Sequence, residues 1–150
     1  MKAMAPTRPT ELQVCRIRLT ASPVAAGEAR GRVRAAIRAW DIPVEEDIAV
    51  LLTSELVTNA ISHEAGTTIM LSVTSSFGQL RVDVHDTSRT WPVLVDASAD
   101  AEAGRGLMLV ATLSATWGIY RTPAGKAVYF TLAFEPGPPG GDGRAQTWGL

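Results

Sequence analysis

Residues Ser54 to His63 read S-E-L-V-T-N-A-I-S-H and lie near the end of a long helix-period pattern. On a helix advancing about 100° per residue, Glu55, Asn59 and His63 fall four apart and share one face. With Ile48 at zero, Glu55 lies at roughly −20°, Asn59 at roughly +20° and His63 at roughly +60°, an arc that also holds Leu51, Leu52 and Leu56. A carboxylate and an amide set among leucines must meet polar partners or lose free energy to desolvation. This face is therefore expected to line a wet or ligand-filled cavity.

Upstream, Glu45, Glu46 and Asp47 put three carboxylates in the first turn of this helix, where the macrodipole favours them. Asp41-Ile42-Pro43 ends an earlier helix, because proline biases the residue before it away from helical geometry. That earlier helix is predicted to open at Ser22-Pro23 and to bury Val33, Ile37 and Trp40. Arg30, Arg32, Arg34 and Arg38 mostly occupy its other faces, and a solvated surface is the simpler reading of that cluster than a partner site. Further back, Cys15, Ile17 and Leu19 alternate with Arg16 and Arg18, the signature of a strand with one buried face. Residues 1–10, with two prolines and little apolar content, read as a flexible lead-in.

Downstream, Gly66 is a plausible C-cap. Ile69, Leu71 and Val73, then Leu80, Val82 and Val84, alternate as two strands joined by a turn through Ser75 to Gly78. Residues 87–103 lack periodicity, and a loop of that length is more often a lid or binding loop than a spacer. A helix opened by Gly104-Arg105-Gly106 follows, and then a last hairpin with Val128, Phe130, Leu132 and Phe134 on one face. The tail, residues 135–150, is too rich in Pro and Gly to pack and is expected to be disordered. The predicted domain is therefore 11–134. Its element order indicates an α+β two-layer sandwich, a mixed, mainly antiparallel sheet with helices on one face.

With 150 residues, of which 46% are hydrophobic and 19% charged, the chain can bury a sizeable core as one domain. The net charge of −1 gives no electrostatic footprint for direct nucleic-acid binding or for an anionic membrane. One cysteine allows no intrachain disulfide, and neither a signal core nor a membrane-spanning window is present, so a cytoplasmic protein is expected.

Asn59 and Glu55 bear oxygens that suit magnesium, which keeps several waters and takes substrate phosphates beside a few protein groups. Glu55 could orient a water on such a metal or accept a proton from an attacking hydroxyl; both side chains could instead cap neighbouring backbone. Asp86 at a strand end suits either a local turn or a ligand contact. The Gly-Arg-Gly at 104–106 is neither a Walker loop nor a full dinucleotide fingerprint, yet glycine-opened helix amides bind phosphate readily.

In combination, S-E-L-V-T-N-A-I-S-H, V-D-V-H-D-T-S, G-R-G-L-M-L-V and G-K-A-V-Y-F-T-L resemble the GHKL ATP-binding domain of the anti-sigma-factor serine/threonine kinases, in particular the small single-domain actinobacterial members. The resemblance spans roughly residues 12–134. It implies a Bergerat-type sandwich that binds ATP and Mg²⁺. On the matching positions it implies Glu55 as the catalytic carboxylate, Asn59 as the magnesium ligand, and Asp86 as acceptor for the adenine amino group. Gly104, Arg105, Gly106 and Leu107 match the box that closes on the phosphates, with Lys126 on the last hairpin also in the nucleotide site and residues 87–103 as the lid. The implied activity is phosphorylation of a serine or threonine on an anti-anti-sigma (STAS-like) partner, with sequestration of a sigma factor and homodimer formation. A nucleotide-dependent protein-binding switch without transfer is the alternative, whereas a sensor histidine kinase lacks its dimerisation helices here.

Two departures from the family bear on affinity. Thr87, Ser88, Arg89 and Thr90 follow Asp86 where the family has glycines. Similar proteins also place a threonine near the adenine aspartate, where this chain has Ala127 after Gly125-Lys126. Modest ATP affinity is the expectation.

Overall fold

The computed structural model describes residues 12–63, 68–88 and 101–135. The lead-in, Gly66, most of the expected lid and all of the tail beyond Glu135 lie outside the described residues. The elements are β1 (Gln13–Thr20), α1 (Ala25–Ala39), α2 (Glu46–His63), β2 (Thr68–Ser76), β3 (Gln79–Asp86), α3 (Ala101–Leu113), β4 (Thr116–Arg121) and β5 (Lys126–Ala133).

The five strands form one sheet in the order β1-β2-β3-β5-β4. Every pairing is antiparallel rather than mixed. The connection through α3 produces this order, since β5 returns to pair with β3 and leaves β4 at the edge. Strand alternation then sorts the side chains. Leu71, Val73, Val82, Val84 and Phe130 point to the helical layer and meet Val33 of α1, Leu52, Leu56 and Val57 of α2, and Leu107 and Val110 of α3 in one core. The molecule is thus a two-layer α/β sandwich.

α1 ends in a left-handed turn at Asp41, φ 55°. Ile42 N donates to Ile37 O at 3.0 Å and Asp41 N to Arg38 O at 3.3 Å, the double bond of a Schellman motif. Its start differs from expectation. Ser22 Oγ accepts Val24 N–H at 3.3 Å in a local turn, so Pro23 precedes the helix and Ala25 opens it. The arginines of α1 are also less idle than the sequence suggests. Arg34 and Arg38 converge on Glu46 of α2, Arg38 through 3.0 and 2.9 Å bonds to the two carboxylate oxygens, and these bonds hold Glu46 below the usual carboxylate range against a smaller effect of burial.

The helix expected to open at Gly104 begins at Ala101. Ala101, Glu102 and Ala103 are strong helix formers. Only the first four amides of a helix stay outside its ladder, so those of Arg105 and Gly106 are already committed within α3. The β2–β3 turn is also tighter than expected. Phe77 and Gly78, both at positive φ (49° and 79°), make a two-residue hairpin.

Candidate nucleotide site

α2 is the central helix, flanked by α1 and α3 and backed by the sheet. Its predicted polar stripe is only partly wet. Leu52 and Leu56 are fully buried, Leu51 is 39% exposed, and Asn59 is 8% exposed. Asn59 makes polar contact within the molecule, as a buried amide must. Beside the stripe, Arg30 Nη1 of α1 donates to Ser54 Oγ at 2.8 Å, which fixes the neighbouring turn of α2. His63 closes α2.

Glu55 is half-buried and points at α3. A Cβ built on Gly106 would lie 2.7 Å from Glu55 Oε1, closer than real Cβ atoms approach. Glycine at this position therefore makes room for the carboxylate, and the fold brings the Glu55–Asn59 stripe against the glycine-bearing segment. Leu107, next in the chain, is 1% exposed and packs in the core.

The second cluster lies where β3 meets β5. Asp86 and Lys126 are cross-strand partners. Lys126 Nζ donates to Asp86 Oδ2 at 2.7 Å, with both side chains 1% exposed. Asp86 Oδ1 accepts Ser88 N–H at 2.8 Å, the local turn bond that aspartate favours at a strand end. The register corrects the expectation about Ala127. That residue pairs with His85 and takes the opposite face of the sheet, so the position facing Asp86 is Lys126. Gly125 makes this approach feasible. A Cβ there would overlap the Asp86 carbonyl and the Thr87 backbone. Sequence reading missed Gly125, although a glycine immediately before a strand is a usable signal of close backbone approach.

A cleft of about 530 Å³, within the size range of ligand pockets, opens at this end and is lined by Arg18, Ile69, Met70, His85 and Asp86 among others. Glu55, Asn59 and Gly106 do not line it.

A model of the histidine kinase-like ATPase domain matches residues 19–132, well over half of the chain and from within β1 to the end of the β5 core. The chain belongs to that family. None of the curated proteins compared with it gives a significant match. Membership makes this histidine kinase-like ATPase domain a nucleotide-binding one, with ATP as its ligand. The donor chemistry of Asn59 and Glu55, an amide and a carboxylate, suits magnesium. Among the described residues no group of three or more His, Cys, Asp or Glu could hold a metal ion. No helix among the described residues is long and apolar enough to cross a membrane.

Proposed function

We propose that this domain is an ATP- and Mg²⁺-dependent serine/threonine kinase of the anti-sigma type, which phosphorylates an anti-anti-sigma (STAS-like) protein and sequesters a sigma factor. The observation that carries the reading is the Glu55 carboxylate seated against Gly106 on the face of α2 that also bears Asn59. In the proposed transfer the partner's hydroxyl oxygen attacks the γ-phosphorus and the bond to the ADP oxygen breaks. Glu55 accepts the hydroxyl proton. Magnesium, when bound with Asn59 among its ligands, neutralises phosphate charge. Asn59 would position the triphosphate, with Asp86 and Lys126 at the base end. The working unit in this proposal is residues 11–134, cytoplasmic and homodimeric.

The buried Asp86–Lys126 pair favours a second reading. A carboxylate already bonded within the chain suits a nucleotide-dependent protein-binding switch without transfer. Incubation with labelled ATP and candidate partners from the same genome separates the two. The kinase reading expects phosphoserine or phosphothreonine on one partner, loss of label with Glu55→Ala at retained ATP binding, and weakened binding with Asn59→Ala. A partner that binds but never acquires label leaves the switch. Full labelling by Glu55→Ala makes that carboxylate structural only.

A further inference from the structure

Asp86 meets two donors from its own chain, one on each oxygen: Ser88 N–H on Oδ1 and Lys126 Nζ on Oδ2. Lys126 is 0% exposed and is among the largest fully buried side chains, so its stem as well as its charge occupies this part of the interior. The turn that carries it is pressed against β3, because Gly125 lies within contact of the Asp86 carbonyl and Thr87 backbone. Thr122 and Gly125 also exchange backbone bonds of 3.0 and 3.2 Å across that turn, which restrains it from swinging away.

Resting on the ATP-binding reading, we infer that Lys126 is a specificity-determining residue. Its ammonium stands against Asp86 in place of a purine amino group, so the wild-type domain binds ATP without reading that amino group. The reasoning is a competition between donors. A charge-assisted bond is roughly twice as strong as one from a neutral donor, and the pair is dry. Displacing the ammonium would also leave a buried charge without its counter-charge. A neutral amino group therefore does not win the carboxylate oxygen. Shortening Lys126 reopens it.

The test compares ATP with inosine triphosphate, which carries a carbonyl oxygen where adenine carries its 6-amino group. Calorimetry on the full wild-type chain should give affinities for the two within about threefold of each other. Lys126→Ser removes the stem and leaves a hydroxyl donor for Asp86. It should raise the preference for ATP over inosine triphosphate about tenfold or more above that of wild type. Lys126→Gln keeps length and a neutral donor, and should shift the ratio the same way by a few-fold if the serine variant does not fold. A wild-type preference for ATP of about tenfold or more overturns the inference, whatever the variants do. So does a cooperatively folded Lys126→Ser with an unchanged ratio. Those results leave ATP binding intact. If folded wild type and both variants bind neither nucleotide, the ATP-binding reading itself falls and takes the role of Lys126 with it.

Discussion

Gly106→Ala tests whether the fold holds Glu55 for chemistry or merely accommodates it. The added Cβ would lie 2.7 Å from Glu55 Oε1, whereas ordinary contact begins at 3.4 Å, so the oxygen must move by the difference, about 0.7 Å. The other two Glu55 atoms near it are already at 3.8 and 3.9 Å, so only the carboxylate needs to turn. That torsion is broad, and a small rotation costs well under ~1 kcal/mol. Replacing glycine by alanine inside a helix gains about 1 kcal/mol. Stability should therefore be unchanged or slightly raised, with Tm up by ~0–4 °C. Activity should move the other way. A misplacement of about 1 Å at a reacting centre can cost ~100-fold, so the kcat for partner phosphorylation should fall by roughly 10- to 100-fold. Thermal melts and single-turnover transfer assays on one preparation measure both. In a Glu55→Ala background the overlap is gone, and the same glycine change should raise Tm by the full propensity gain. A folded Gly106→Ala protein with undiminished transfer would refute the link between this contact and catalysis.

Gly125→Ala should behave oppositely, since its new Cβ meets the Asp86 carbonyl and Thr87 backbone rather than the end of a flexible side chain. A loss of about 3 kcal/mol or more in denaturant melts is expected, because the β3–β5 end must open and the buried ion pair with it; a near-neutral effect would mean that the turn adapts. His85 supplies a pH signature. Burial, opposed in part by Asp83 and reinforced by Arg16 and Arg81, holds its imidazole below the ordinary value of 6.5. The unfolded chain therefore takes up the proton first. This contribution to stability is complete above the ordinary histidine pKa and is lost as pH falls through it towards the folded value. Melts from pH 7 to 5 should decline less steeply for His85→Gln than for wild type, and parallel slopes would contradict the assignment.

Much of this architecture is written locally in the chain. Period-two runs such as Cys15-Ile17-Leu19 mark strands, and helical spacing with Pro43 as a stop separates α1 from α2. What escapes local reading depends on pairing across distance. The Lys126–Asp86 bond joins residues 40 apart, and its existence follows from a β3–β5 register that no short motif encodes. A one-residue slip would have put Ala127 opposite Asp86. The clamp of Arg34 and Arg38 on Glu46 likewise requires knowing which faces of α1 and α2 meet. The Phe77-Gly78 turn was hidden for a different reason, since phenylalanine at positive φ is uncommon and carries none of the Asn-Gly signal of such hairpins.

Strand parity decides what the two aspartates of β3 can do. Asp83 and Asp86 are three residues apart and so face opposite sides of the sheet. Asp83 takes two bonds from Arg81, at 2.9 and 3.0 Å, and one from Tyr120 Oη at 2.8 Å. Burial and then this last bond push the Tyr120 hydroxyl up to about 12. Yet the Arg81 side chain is 38% exposed, so water screens the Asp83 cluster and dampens any discrimination it could exert. Lys126, at 1%, has no such screening. Exchanging one donor for another is therefore most selective at Asp86, where an unpaired group would be most costly. The side of the sheet on which a carboxylate lies, set by counting residues along one strand, thus separates a buried carboxylate paired with a partly exposed arginine from the Asp86–Lys126 pair, in which neither partner reaches water.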